Sequence, residues 1–335
     1  MGVPLRDVNV KINVQEPTRL LNFGKVLILS SKDGGHEYKE YGALADVKKD
    51  FEESTTEYAM ANAIFAQDNA PEKIAIYCIN STETEETLAD GLEAIYHKDF
   101  YFVVMTDNTT ANVLSVAAKI DLLGGGKMLA TRTTSTADLN TYSSNTDKYE
   151  NLIIFFNVST DAEEYPECAL VGALGSLPVG SITWKAKTLK GITVDEDLDK
   201  TTLDSIHTNG AITYCLKAGD KVTSEGITHE GEYIDVVHGK DYLINNIQYA
   251  VQKQINKTAK IPYTNEGIAS IEAVVNGVLQ SALTNGLIAE YSTDFPDVSY
   301  TTEADRADRK YNLGKFRFRI AGAIHNVDIV GTLTY

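Results

Sequence analysis

Between Lys25 and Gly175 the sequence alternates short, continuous runs of apolar residues with segments of helical period. Continuous apolar runs of about four to eight residues are typical of strands buried on both faces, as in a parallel sheet. The runs are KVLILS (25–30), KIAIYCI (73–79), FYFVVM (100–105), KMLA (127–130) and NLIIFFNV (151–158). Parallel strands need crossover connections, and the segments between these runs are long enough to form helices. The pattern therefore predicts an α/β domain with a mainly parallel sheet.

Helices are expected between these strands, because apolar residues recur there at intervals of three or four positions. Capping-box patterns at Ser54–Glu57 and Thr82–Glu85 predict the starts of the second and third helices. Gly124 predicts the end of the fourth helix. The residues expected to face the core are, helix by helix, Leu44, Val47 and Phe51; Tyr58, Ala61 and Phe65; Leu88, Leu92 and Ile95; and Leu114, Ala117 and Ile120.

The residue pattern changes after this domain. Residues 180–238 are rich in Thr, Gly and β-branched residues and contain turn signals such as Asn209-Gly210, which predict a β-rich segment. A helix is then expected from about Asp241 to Thr258, and a second from near Asn265 to Asn285. The predicted division is an N-terminal arm (1–24), the α/β domain (25–178), the β-rich segment (179–238), the helical pair of an α+β C-terminal domain (239–314) and C-terminal strands (315–335).

Both ends of the chain carry alternating apolar and polar residues, which is typical of a strand with one covered face. The apolar positions are Val8, Val10, Ile12 and Val14 at one end, and Val327 and Ile329 near the other. Neither strand has an obvious partner next to it in the sequence. An unpaired strand edge binds another strand, which can belong to the same chain or to another subunit.

The formal net charge of −17 at pH 7 argues against nucleic acid as a main partner, because nucleic acids bind cationic surfaces. The excess charge is uneven. Residues 1–238 carry 20 Lys and Arg against 37 Asp and Glu, whereas residues 239–335 carry 10 against 10. The C-terminal part is therefore expected to face different surroundings. No apolar run approaches the roughly 20 residues of a membrane-spanning helix, so membrane insertion is not expected.

The sequence carries no recognisable catalytic or metal-binding motif. The run Gly124–Lys127 lacks the residues that a phosphate loop needs at positions 121 and 128, where Asp121 and Met128 stand. The three cysteines form no CxxC pair, and no two of the six histidines stand four residues apart. We therefore predict no catalytic residues, no cofactor and no metal site.

One enzyme hypothesis rests on topology, because parallel sheets bind ligands beyond the carboxyl ends of their strands. The polar residues expected at those ends are Ser31, Lys32, Asp33, Asp107, Arg132, Ser159 and Asp161. Helix caps and turns use the same residue types at the same places. The fold class is compatible with both interpretations.

The sequence resembles the tail-sheath-like proteins of contractile phages over most of its length. In the N-terminal half the similar segments are RLLNFGKVLILS, YGALADVKKDF, STTEYAMANAIFAQ and PEKIAIYCI. In the C-terminal half they are TWKAKTLKGIT, NGAITYCLKAGDKVTSEGITHEGEYIDVVHGKDYLINNIQYAVQKQI, KIPYTNEGIASIEAVVNGVLQSALTNGLIA and AGAIHNVDIVGTLTY. These are packing and turn patterns in the expected order, and they are specific only in aggregate.

The resemblance implies a structural subunit of a phage tail or phage-tail-like bacteriocin. Such subunits stack in helically arranged rings around an inner tube, and contraction drives the tube through a target envelope. It also implies that the terminal arms add strands to neighbouring subunits, and that a C-terminal helix touches the tube, here through Lys253 and Lys257. The implied partners are further copies of the chain and the tube, baseplate and tail terminator proteins, in a particle assembled in the bacterial cytoplasm. Another tail component, such as a tube or baseplate protein, is the alternative within this class.

Overall fold

The computed structural model describes residues 20–82, 86–157, 159, 163–194, 196 and 198–325. Eight of the strands in these residues form one large sheet, which consists of β1 (Val26–Lys32), β2 (His36–Tyr41), β3 (Ile74–Asn80), β4 (Phe102–Met105), β5 (Met128–Thr133), β6 (Leu152–Phe156), β7 (Ala211–Lys217) and β8 (Asp220–Thr223). The spatial order is β2-β3-β1-β4-β5-β6-β7-β8. The inner strands run parallel, and only the edge strands β2 and β8 are antiparallel to their neighbours. The mainly parallel α/β sheet predicted from the apolar runs is confirmed.

Both faces of this sheet are covered by helices. Successive side chains of a strand point to opposite faces, so that Ile28 joins one core and Leu29 the other. The first face packs against α1 (Leu44–Val47), α2 (Thr56–Phe65) and α6 (Pro166–Leu174). The second packs against α3 (Leu88–Ile95), α4 (Thr110–Leu122), α5 (Thr136–Ser144) and α7 (Lys200–Thr208). This double coverage is the reason that the strands read as continuous apolar runs.

The predicted N-caps of α2 and α3, Ser54 and Thr82, are wrong by one and five residues respectively. The N-cap of α2 is Thr55, whose hydroxyl accepts a hydrogen bond from the backbone N–H of Tyr58. The expected partner in the Ser54 box, Glu57, is buried and accepts a hydrogen bond from the Ser30 hydroxyl. In α3 the reciprocal capping box is formed by Thr87 and Asp90. Several hydroxyl residues that could serve as a cap stand at the start of each helix, and at α2 the contact of Glu57 with Ser30 excludes the Ser54 box.

The inward face of α2 also differs from the expectation. Met60, Ala61 and Ile64 are buried, whereas Tyr58 and Phe65 are only partly buried. In α3 the expected set of Leu88, Leu92 and Ile95 is confirmed. The first predicted helix is a single short turn, α1, which ends at Val47. Phe51 therefore lies beyond the helix, but its side chain is buried as expected.

Two strands, β7 and β8, are described in segment 179–238, and both extend the α/β sheet. β7 pairs in parallel with β6, and β8 returns antiparallel beside β7. The segment also contains α7, which the β-rich interpretation missed, and a long connection in which Trp184 is fully buried. The change in composition therefore does not mark the end of the sheet.

The C-terminal part consists of α8 (Ile234–Lys257), α9 (Asn265–Thr284), β9 (Ile288–Asp294), a short 3-10 turn (Val298–Tyr300), α10 (Glu303–Ala307) and β10 (Lys315–Ile320). The predicted pair of long helices is confirmed, but α8 begins about two turns earlier than expected. Gly239 lies inside this helix, where a Cβ atom would stand 2.8 Å from Leu287 Cδ1. Close packing against Leu287 therefore explains why a glycine stands inside α8, although in the sequence Gly239 indicates a helix boundary.

None of the helices within the described ranges is long and apolar enough to cross a membrane.

Candidate assembly interface

The outer end of the C-terminal part carries a small antiparallel sheet of β9 and β10. Phe316 faces Thr293 and Phe318 faces Tyr291 across the ladder, on the side that packs against α8 and α9. Lys315, Arg317 and Arg319 point to the opposite side and are exposed. On that side Asp294 and Glu290 of β9 lie opposite Lys315 and Arg319, so the sheet has one apolar face on the helices and one face of mixed charge toward solvent.

Both outer edges of this small sheet are open within the part of the chain that the structure describes. β9 and β10 pair with each other, and neither has a second neighbouring strand there. A two-stranded sheet is stable only when one face is packed, as it is here against α8 and α9. Its free backbone N–H and C=O groups form a template for an added strand.

The predicted arm residues lie outside the described residues: Val8, Val10, Ile12, Val14, Val327 and Ile329. The described chain begins at Leu20, and the backbone N–H of Leu21 donates a hydrogen bond of 3.2 Å to Asn245 Oδ1 on α8. It ends at His325, five residues after β10. Both ends of the described chain therefore lie close to α8 or to the small sheet.

The two lysines predicted to meet a tube are on the exposed, C-terminal end of α8. Lys253 and Lys257 are exposed, and Lys253 Nζ lies 5.3 Å from the ring centre of Tyr249. Within the described ranges neither lysine has a carboxylate partner within 4.0 Å. They are free to bind an external acidic group.

Further cations lie near this end and were not identified from the sequence. The Tyr263 hydroxyl donates a hydrogen bond of 3.0 Å to the carbonyl oxygen of Lys310. This contact brings the exposed pair Arg309 and Lys310 beside the turn between α8 and α9, which also carries the exposed Lys260. Only the tertiary fold reveals this grouping, because the two segments are 47 residues apart.

Helix α8 connects the small sheet rigidly to the α/β domain. Ile234 and Val237 belong to the core of the α/β domain, while Leu243, Ile247 and Val251 belong to the core beneath β9 and β10. The shared helix thus crosses from one core to the other without a break.

Polar contacts reinforce the first half of α8. The Tyr101 hydroxyl donates a hydrogen bond to Asp241, the His238 ring lies 3.1 Å from the carbonyl oxygen of Phe23, and Lys240 pairs with Glu150. Burial raises the pKa of Asp241 to about 6 and lowers the pKa of His238 to about 4. The junction is therefore fixed by both packing and hydrogen bonds.

The carboxyl ends of the parallel strands offer no comparable site. Arg132 pairs with the buried carboxylate of Glu167, and Asp107 accepts a hydrogen bond of 2.9 Å from the backbone N–H of Thr109 at the start of α4. Ser31 and Asp33 are exposed, Lys32 is partly buried, Ser159 bonds Asn157, and Asp161 lies outside the described residues. Among the described residues no group of three or more His, Cys, Asp or Glu side chains could hold a metal.

A cleft of about 770 Å³ lies at the other end of the sheet. Phe23 and Gly24 line it just before β1, opposite Val278 and Leu287 of the C-terminal part. In doubly wound sheets ligands bind at the carboxyl ends of the strands, so this cleft is not at the expected ligand position.

Residues 234–292 match the family model described as "E217 tail sheath protein gp31-like, C-terminal domain". The match starts at the first residue of α8 and ends within β9. A search of the curated proteins gave no match.

The helical sheath of the anti-feeding prophage in its contracted state superposes on almost the whole chain. The TM-score is 0.73 at 12% identity, and the match covers 99% of each chain. The chain has the fold of a contractile-sheath subunit. The same sheath fold is found in the contracted PVC sheath complex, an extracellular contractile injection system, with a TM-score of 0.70, 11% identity and coverage of 99% and 98%. The sheath tail protein of Desulfitobacterium hafniense also has it, with a TM-score of 0.59, 11% identity and coverage of 85% and 93%.

Proposed function

We propose that this chain is the structural subunit of a contractile sheath, which polymerises around an inner tube and contracts to drive the tube through a target envelope. The observation that carries this proposal is the likeness over the whole chain to the subunits of contracted sheaths. This likeness extends from the α/β domain through the small β9–β10 sheet, so it includes the sheet edges at which neighbouring subunits would bind. The role is structural, and no residue of the chain performs catalysis.

Successive parts of the chain have different roles in the proposed sheath. The α/β domain at 25–178, completed by the strands of segment 179–238, forms a compact sheath wall. The helical pair at 239–314 lies toward the inner radius. Because α8 belongs to both cores, the two parts move together when the sheath contracts, and the flexibility resides in the connections between subunits.

The segments before residue 20 and after β10, which belong to the predicted arms 1–24 and 315–335, link the subunits, whereas β10 itself pairs with β9 of its own chain. The apolar positions of the N-terminal strand, Val8 to Val14, alternate with Asp7, Asn9, Lys11 and Asn13. This pattern matches the small sheet, whose Phe316 and Phe318 face inward and whose Arg317 faces outward. An added strand from a neighbouring copy would continue both faces and satisfy the open backbone groups, as in other cases of strand addition. The C-terminal strand, with Val327 and Ile329, serves a second copy in the same way.

The exposed end of α8 contacts the tube. Lys253 and Lys257 meet acidic groups on its surface, supported by the neighbouring Lys260 and Lys310. A single exposed ion pair contributes at most about 1 kcal/mol. Affinity for the tube would therefore come from repetition around each ring.

The remaining partners are the baseplate, which triggers contraction, and the tail terminator. The assembled protein belongs to a tail or tail-like particle that is made in the bacterial cytoplasm. A phage and a bacteriocin would use the same subunit design.

Electron microscopy and sedimentation of the purified chain test the proposal. A sheath subunit forms rings or hollow tubes and sediments as a polymer. A small monodisperse oligomer at every concentration and salt condition would contradict a sheath and favour an enzyme.

A further inference from the structure

The described chain does not end in the C-terminal part, because residues 321–325 return to the α/β domain. The backbone N–H of Ala321 still bonds the carbonyl oxygen of Leu287, at 3.0 Å. Four residues later the side chain of His325 is only 8% exposed, whereas that of its neighbour Ile324 is 86% exposed. A buried polar residue beside a fully exposed apolar one indicates a specific anchoring contact.

Both ring nitrogens of His325 face polar partners. Nε2 lies 2.7 Å from the hydroxyl oxygen of Thr183, and Nδ1 lies 3.0 Å from Glu225 Oε1. Nε2 and the Thr183 hydroxyl form a hydrogen bond, whereas the contact between Nδ1 and Glu225 Oε1 is a close polar approach without hydrogen-bond geometry. The ring also packs edge-on against Tyr233, at 4.8 Å between ring centres.

The partners of His325 are held in place by their own contacts. Glu225 Oε2 accepts a hydrogen bond of 2.7 Å from Lys185 Nζ, and Lys185 and Glu225 are both largely buried. Thr183 precedes the fully buried Trp184. His325 therefore binds a rigid surface of the α/β domain that is separate in sequence from β10.

We infer that His325 is the fixed base of the C-terminal arm and sets where that arm leaves its subunit. The inference rests on the proposed sheath function and names a second copy of the chain as the partner. The residues expected to form the C-terminal strand, Val327 and Ile329, follow His325 by two and four positions, which span at most about 7 and 14 Å in an extended chain. A strand that starts from a fixed point near Thr183 can therefore pair only with a neighbouring small sheet within that distance.

Releasing the anchor has a calculable effect on assembly. Without His325 the strand would be tethered at Ile320, the end of β10, and the tether to Val327 would grow from about two to about seven residues. Effective concentration falls roughly as the −3/2 power of tether length, which gives about a sixfold loss for each arm. In a lattice with an arm on every subunit, this loss raises the critical concentration for polymerisation at least about sixfold.

The test compares the wild-type chain with H325A, H325Q and the control H97A, which removes an exposed histidine of the α/β domain. Hydrogen exchange of the unassembled protein reports on the anchor, and sedimentation gives the critical concentration. H325A is expected to exchange the amides of residues 321–325 faster and to polymerise at a concentration at least about sixfold higher. The midpoint of thermal unfolding should not change. H325Q can still reach Thr183 and is expected to lie between wild type and H325A.

The two experiments separate this inference from the sheath proposal. If H325A exchanges like wild type, or polymerises at the same concentration as wild type and H97A, the anchor does not exist or does not guide the arm. If the wild-type chain forms no polymer, the sheath proposal fails, and hydrogen exchange still decides whether His325 fixes residues 321–325.

Discussion

The hydroxyl of Tyr101 donates a hydrogen bond of 2.9 Å to the carboxylate of Asp241 and so ties the start of a central strand to the long helix α8. Tyr101 is fully buried one residue before β4, and its ring stacks on His238, at 4.8 Å between ring centres. The α/β domain and the C-terminal part therefore share a buried junction that contains two titratable groups with shifted pKa values.

The first prediction concerns the pH dependence of stability. The raised pKa of Asp241, about 6, makes its contribution to the free energy of unfolding fall as pH rises from about 4 to 6. The lowered pKa of His238, about 4, makes its contribution rise with pH between about 4 and 6.5. The two contributions oppose each other over the same range, and each amounts to about 3 kcal/mol.

Single variants separate the two contributions in denaturant unfolding at pH 4.5 and 7. The stability of D241N relative to wild type should increase with pH, because wild type alone loses stability as Asp241 ionises. The stability of H238Q relative to wild type should decrease with pH, while glutamine can still donate to the carbonyl of Phe23. Relative stabilities that do not vary with pH would show that the junction carries no such coupling.

The second prediction compares two glycines inside helices. Gly277 of α9 is exposed, and an added Cβ atom would meet nothing within 4 Å, so G277A should stabilise the isolated subunit by about 0.5–1 kcal/mol. In G239A the new atom would press on the buried Leu287, and overpacking costs about 1–3 kcal/mol. G239A should therefore be less stable than G277A in urea unfolding. Equal stabilities would mean that Leu287 moves aside without cost.

The third prediction concerns the tube contact. K253E/K257E reverses two exposed charges at the end of α8, and each reversal costs the helix about 0.3–1 kcal/mol or less. The variant should fold and form sheath-like polymers but lose coassembly with the tube, measured by cosedimentation at low salt. The matched control is K48E/K49E, which reverses two exposed lysines of the α/β domain. Normal coassembly of K253E/K257E would refute the contact.

The fourth prediction concerns the N-terminal arm. Deletion of residues 1–15 should leave a folded, soluble protein, because the described core begins only at Leu21 and Phe23. The truncated chain should not form tubes, since it lacks the strand that links it to its neighbour. Circular dichroism checks the fold, and electron microscopy checks assembly. If the truncated chain fails to fold, the N-terminal strand belongs to the fold of its own subunit. If the truncated chain still polymerises, this strand does not link the subunits.

The sequence predicts the buried parts of this fold better than its exposed edges. The inner strands were identifiable because residues such as Val26 and Leu29 are buried on both faces, which leaves a continuous apolar run. The edge strand β2 was missed because its sequence, HEYKEY, is mostly charged and only Tyr41 is buried. The start of α2 was misplaced because Glu57 bonds Ser30, a partner 27 residues away that no local pattern reveals.

The sequence also predicts only part of the candidate interface. The helical period correctly predicts the buried face of α8, with Leu243 and Ile247, and leaves Lys253 exposed. The open β9–β10 sheet and the return of His325 to Thr183 depend on contacts between distant segments, the latter 142 residues apart. Such contacts are set by tertiary packing and carry no signal in a short window of sequence.

The central claim is that copies of this chain assemble into a sheath through strands exchanged between subunits. Helical reconstruction of the polymer by electron cryomicroscopy tests it most directly, at a resolution that separates strands about 4.8 Å apart. We expect rings of subunits in which β9 and β10 each gain a strand that traces back to the terminal arm of another copy. A polymer in which both edges of the small sheet stay open, or in which the arms pair within their own subunit, would contradict it.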